Sequence, residues 1–349
     1  MTSPKKITGA KPDKSVKQDQ SPKRSIGQRA AGSITVVEKT LRNSPVFISL
    51  IIFTALLYFT VIFLNLLAGD PNIIPGLFER GISEVSNEFN TRITPAGWAF
   101  SIWGLIYLLQ FAWVIYSLAL ICRTTPNGPA YLNPIVLSPA FFIFFNLSSA
   151  FNIGWLFLWD RILFMASFVF LGCITLSLFL TLAIASVRLV TFQDALVDQG
   201  RRTDVNFLKV AVVNGVGMYA TWSTVATLVN LVVVLTYKWS HPIGDEKAAI
   251  ICLGILSFFT VVYIALDMTV LEQYTRFAFA PYLVIIWALV AIVVKNYNKA
   301  YLSSIMSVVL LGSVCFACLI KVALTSYRVR SVKYHYRQMK RGRPTNLEE

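Results

Sequence analysis

The sequence predicts an all-α fold, a polytopic membrane helix bundle of about eight transmembrane helices. Three observations predict it. Hydrophobic residues make up 56% of the 349 residues and charged residues only 14%, against about 25% charged in ordinary soluble domains. Mean hydropathy is +0.64. The apolar residues fall into runs long enough to cross a ~30 Å hydrocarbon core, while charges crowd at the two ends and in short connections.

Residues 1–45 are rich in Lys, Ser and Pro and contain no apolar run that could serve as a signal peptide. They read as a disordered basic cytoplasmic tail. Eight spans follow, near 46–68, 96–122, 136–159, 162–187, 208–237, 248–268, 278–294 and 301–324. Residues 326–349 read as a second basic cytoplasmic tail. With the N-terminus in the cytoplasm, 24 of the 31 Lys and Arg residues fall inside and 7 outside, as the positive-inside rule requires. An even number of spans also brings both basic tails to one side. The net charge of +14 therefore points to anionic lipid at the tails and not to nucleic acid. Partners expected are the bilayer, that lipid and a hydrophobic small molecule, with a homodimer left open.

Span 1 carries Thr54, Tyr58 and Asn65 on roughly one face. The loop after it, Gly69 to Thr94, is long, net acidic and able to fold over a cavity mouth, or to serve as a solvated connector. Span 2 opens on the stretch from Thr94 to Tyr107, with Pro95 at the helix start. Trp98 lies in this opening. Phe100, Trp103, Tyr107 and Phe111 share a helical stripe, and Gly97 and Gly104 are expected to let a neighbouring backbone approach. Span 3 aligns Ser148, Asn152, Trp155 and Trp159. Asp160-Arg161 makes a short turn, so spans 3 and 4 are antiparallel neighbours. Span 5 aligns Tyr219, Trp222, Ser223, Ala226 and Asn230.

A buried Asn in a membrane must be hydrogen-bonded or face a cavity. Spans 2, 3 and 5 turned toward one another would make a pocket with apolar walls and a few polar fixing points. The alternative is a bundle whose polar side chains only join helices. Asp267 is placed near the inner end of span 6, and Lys321 is expected to snorkel from span 8. Five cysteines (Cys122, Cys173, Cys252, Cys315 and Cys318) read as buried free thiols.

These residues resemble the TspO/MBR family, the translocator protein and tryptophan-rich sensory proteins, in its longer tryptophan-rich branch. The resemblance rests on Pro95, Gly97, Phe100, Trp103 and Tyr107 in span 2. Asn152 and Trp155 carry it in span 3, and Tyr219, Trp222, Ala226, Thr227 and Asn230 in span 5. It covers residues 46–237 as a five-helix unit, with three additional helices over 238–325. Gly215-Val216 stands where the family often has Pro-Phe, and its sterol-associated aromatic-and-basic tail is missing after Asn230. The resemblance implies a multi-pass protein that binds, senses or carries a porphyrin- or sterol-like ligand between the helices under the first loop. It assigns Trp98, Trp103, Trp155 and Trp222 to that pocket. It also leaves open a porphyrin-degrading enzyme, or an assembly protein with no small-molecule ligand.

The remaining chemistry is sparse. His241 and His335, the only histidines, lie outside the spans, so haem ligation by intramembrane histidine pairs is not expected, nor is a metal site. The spans hold almost no carboxylates for acid–base catalysis. The expected ligand-binding set is Trp98, Phe100, Trp103, Tyr107, Asn152, Trp155, Tyr219, Trp222, Ala226 and Asn230. Stacking on indoles needs no catalytic residue and no resident cofactor.

Overall fold

The computed structural model describes residues 45–238 and 242–341, with side chains as far as Ser331. The basic tail over 1–44, residues 239–241, the side chains over 332–341 with that of His335, and residues 342–349 lie outside the described residues.

Among the described residues the apolar runs form seven helices long enough to cross a membrane and one shorter apolar helix. Span 1 is Pro45–Gly69, span 2 Gly97–Cys122, span 3 Pro139–Asp160 and span 4 Phe164–Asp198. Span 5 is Arg202–Lys238 and span 6 Asp245–Met268. Span 7 is Ala280–Asn296, shorter at 17 residues, or about 25 Å of helix. Span 8 is Leu302–Arg341, so the second basic tail begins as a continuation of helix. Large apolar side chains such as Phe53, Leu56, Phe258, Phe316 and Leu319 stay exposed on the outside of the bundle. In water that would be a liability, but around a membrane bundle it is the face that meets acyl chains. The protein is a multi-pass integral membrane protein.

Local sequence sets the helix ends. Ser138 caps span 3, its Oγ accepting from the Phe141 amide at 3.4 Å, and Pro139 takes the first turn, where a missing N–H costs nothing. Spans 3 and 4 are joined by the predicted tight turn. Ile162 there has φ 58°, a strained conformation for a β-branched residue.

Polar residues hold the first spans together. Tyr58 Oη donates to the Tyr107 carbonyl at 2.7 Å, and Asn65 Nδ2 donates to Asn152 Oδ1 at 2.8 Å. Gln110, buried in span 2, donates to the Gly215 carbonyl at 2.9 Å and accepts from Trp113 Nε1 at 2.6 Å. A Cβ on residue 215 would come within 2.9 Å of Leu109 Cβ, so Gly215 lets spans 2 and 5 touch. Gly97 and Gly104 do not have the predicted role, because a Cβ on either would meet open space.

Gly154 is the tightest contact. A Cβ there would lie 2.3 Å from Phe170 Cε1 on span 4. Gly154→Ala is therefore expected to cost about 1–3 kcal/mol by overpacking, read as a lower thermal midpoint in detergent. Adding Phe170→Ala should return part of that loss; a Gly154→Ala protein that melts like wild type would disprove the contact.

Spans 6 to 8 pack on span 5 through one apolar cluster that includes Leu228, Val232, Cys252, Tyr282, Leu289 and Val314. Lys321 does not snorkel. It is 4% exposed, and its ammonium meets both oxygens of Asp267 at 2.6 Å. Among the cysteines only Cys252 is buried; Cys173, Cys315 and Cys318 are half-buried and Cys122 is exposed, so the expectation of five buried thiols holds at Cys252 alone.

Candidate functional site

The site begins with span 2, whose opening is not α-helical. Gly97–Ser101 forms a 3-10 turn held from span 7. The Ala96 amide donates to the Ala291 carbonyl at 3.2 Å. Trp287 Nε1 donates to the Ala99 carbonyl at 2.9 Å, and Asn296 Nδ2 to the Thr94 carbonyl at 2.9 Å. Span 7, the second of the three additional helices, thus sets how the aromatic stripe enters the bundle.

From there the rings turn inward. Trp222 meets Phe100 edge-on at 6.1 Å and Trp103 at 6.4 Å. Trp103 also meets Tyr219 edge-on at 5.6 Å and stacks on Tyr107 at 5.5 Å. On span 3, Trp155 and Trp159 stack at 5.9 Å. Between these groups lies a cavity of about 60 Å³, lined by Phe100, Trp103, Trp155, Trp159, Trp222, Ala226 and Asn230, with Leu171 of span 4 behind. That is room for a few waters, well below the ~300–1,000 Å³ of drug-sized sites.

The loop after span 1 covers the mouth. Ile82, Ser86 and Pro95 line the cavity from that side, the first two from a short helix, Ile82–Glu88. Trp159 Nε1 donates to the Ile82 carbonyl at 3.3 Å. Asp160, 3% exposed, accepts from the amides of Glu79 and Arg80, each at 2.8 Å. Phe78 stacks on Phe157 at 4.9 Å. At the far end, Tyr237 Oη donates to the Asn90 carbonyl at 2.8 Å, and the Arg92 guanidinium sits 3.4 Å over the Tyr301 ring.

The polar atoms around the cavity are poorly matched by protein. Asn230 is 2% exposed, and both its Oδ1 and Nδ2 lack a protein partner. Trp155 Nε1, Tyr107 Oη, Tyr219 Oη and Ser223 Oγ are buried and unpartnered too. Each such atom costs roughly 1–3 kcal/mol relative to a bonded one.

Of the ten residues expected at the site, Phe100, Trp103, Trp155, Trp222, Ala226 and Asn230 line the cavity. Tyr107 and Tyr219 back Trp103 from behind. Asn152 is engaged by Asn65. Trp98 lies outside the lining; it is 43% exposed and packs edge-on against Trp287 at 4.8 Å. Phe111 also leaves the stripe, 42% exposed beside Phe59. Trp159, Leu171 and the lid residues were not in the expected set. The spacing of Trp159 from Trp155 placed it on the right face, whereas the loop gave no periodic signal.

Fold and site define an α-helical multi-pass membrane protein with an indole-lined cavity beneath a folded loop. A family model described as TSPO-like protein matches residues 51–323, and the chain belongs to that family. The match runs past residue 237, where the sequence resemblance was drawn to stop, and takes in the last three helices. No curated protein and no solved structure matches the chain.

Proposed function

We propose that the protein binds, senses or carries a flat hydrophobic ligand, porphyrin- or sterol-like, between spans 2, 3 and 5. The observation that carries this is Asn230. A fully buried amide with neither atom bonded, facing a cavity walled by indoles, suits a ligand that is mostly apolar with one polar edge. At about 60 Å³ the cavity takes such a ligand only when the loop lifts and the rings turn. Both termini are placed on the cytoplasmic side, where the basic tails meet anionic lipid.

The test is a titration of purified protein with protoporphyrin, following tryptophan quenching. Saturable quenching is expected. A Trp103→Ala, Trp222→Ala double variant should bind at least ~10-fold more weakly, since each lost stack contributes about 0.5–1.5 kcal/mol. Unchanged affinity in the double variant overturns the proposal.

A second reading has its own observation. Asn65 bonding Asn152 and Tyr58 bonding the Tyr107 carbonyl are polar contacts that join helices and need no ligand. A purely structural protein shows no saturable thermal stabilisation by porphyrins, sterols or lipids. The enzymatic reading, light-driven porphyrin breakdown, rests on the family resemblance; absorbance loss under illumination beyond a detergent blank is its test.

A further inference from the structure

On the face of the bundle away from the loop, a second cavity of about 200 Å³ opens between span 4, the start of span 5 and the connection from span 6 to span 7. Its polar lining includes Gln193, Lys209, Tyr274 and Arg276. Arg276 is held by Glu272, Nε to Oε1 at 2.6 Å and Nη2 to Oε2 at 3.0 Å. Arg328 adds a third contact to the same carboxylate at 2.9 Å. These bonds, that from Arg276 first, hold the Glu272 carboxyl below the usual carboxylate range. Glu272 is thus committed to two arginines. Lys209 has no carboxylate within ion-pair distance among the described residues; its ammonium lies 4.4 Å over the Phe277 ring. The cavity therefore carries an unneutralised cation beside an arginine, with amide and phenol donors around them.

Its depth narrows the ligand. Span 4 starts at Phe164, which puts Ser186 and Gln193 roughly 33–44 Å along that helix at about 1.5 Å per residue. That lies past a ~30 Å hydrocarbon core, at the level of lipid headgroups. Val187 and Val210, neighbours in sequence of lining residues, are 45% and 61% exposed and offer apolar surface to acyl chains. We propose that this cavity binds the phosphate of an anionic lipid headgroup, with Lys209 as the principal cation and Arg276 as the second. The site is separate from the indole cavity and does not depend on what that cavity binds.

The experiment uses the full chain in a neutral detergent. Thermal stabilisation is measured with micelles containing phosphatidylglycerol, with phosphatidylcholine, and with inorganic phosphate alone, for wild type, Lys209→Gln and Lys209→Arg. Lys209 is only partly buried, so the variants should fold. Phosphatidylglycerol is expected to stabilise wild type saturably and phosphatidylcholine to do so weakly. Lys209→Gln should raise the half-saturating concentration about tenfold, and Lys209→Arg should keep most of the response. A wild-type response to inorganic phosphate of equal strength supports the phosphate site and makes a soluble anion its occupant. Equal stabilisation of wild type and Lys209→Gln would mean that the lipid acts through the basic tails, and overturns the proposal. So does the absence of any response in wild type.

Discussion

Lys321→Met is expected to destabilise the protein by about 3–5 kcal/mol, the usual cost of removing one partner of a buried ion pair. Asp267 is 1% exposed and Lys321 4%. The ammonium makes three contacts: both Asp267 oxygens at 2.6 Å and the Thr275 carbonyl at 2.9 Å. Tyr282 Oη donates to Asp267 Oδ2 at 2.6 Å. One cluster thereby ties span 6, span 7, span 8 and the connection between the first two. Taking away the lysine leaves a carboxylate with no counter-charge in an apolar bundle, and that desolvation dominates the loss. The double variant Asp267→Asn, Lys321→Met removes both charges and leaves Tyr282 an amide oxygen to bond. It should recover most of the loss, because replacing a whole buried pair is often nearly neutral. The measurement is the thermal midpoint in detergent for the four proteins of the cycle. If the double variant is as unstable as the sum of the single ones, the pair is not coupled as described.

The same pair shows which features can be read from a sequence and which cannot. Hydropathy located all eight spans, because the bilayer demands ~20 apolar residues whatever else a helix does. But spans 4 and 8 run on to Asp198 and Arg341, well past the predicted ends at 187 and 324, where polar turns carry no hydropathy signal. Helical period also turned Phe100, Trp103, Trp155, Trp222 and Asn230 toward one cavity, since a wrong phase would bury an amide in lipid. Asp267 and Lys321 were visible one at a time, but 54 residues separate them and only tertiary packing brings them together. Trp98 was misplaced. Its assignment came from the family resemblance and not from helical spacing, and here it sits at the start of the 3-10 turn over Gly97–Ser101 and packs on Trp287 of span 7. Gly97 and Gly104 failed for another reason: smallness permits close approach without producing it, and here no neighbour comes near. Asn152 reads like Asn230 in sequence, and the difference is that Asn65 happens to face it.

Asp160→Ala is expected to release the loop that roofs the indole cavity. One buried oxygen of Asp160 receives two backbone amides, Glu79 and Arg80, at 2.8 Å each, and the other faces Arg161 Nη1 at 2.8 Å. Hydrogen bonds to a charged acceptor contribute about 1.5–3 kcal/mol apiece. Glu79 is exposed and Arg80 partly so, so water can replace part of what is lost, and about 2–4 kcal/mol for the pair is the reasonable expectation. The effect should be local. Trp159 Nε1 still reaches Ile82 and Phe78 still stacks on Phe157, but both contacts now hold a loop whose charged anchor is gone. Hydrogen exchange at Glu79, Arg80 and the helix after them should accelerate by more than tenfold while the core of span 5 stays protected. Asp160→Asn, which keeps one acceptor oxygen, should fall between. If ligand enters under this loop, protoporphyrin should also quench tryptophan faster and leave faster in Asp160→Ala than in wild type. Unchanged exchange at Glu79 and Arg80 would show that apolar packing alone holds the roof. Faster exchange with unchanged quenching rates would instead put the entry path between the helices, from the lipid side.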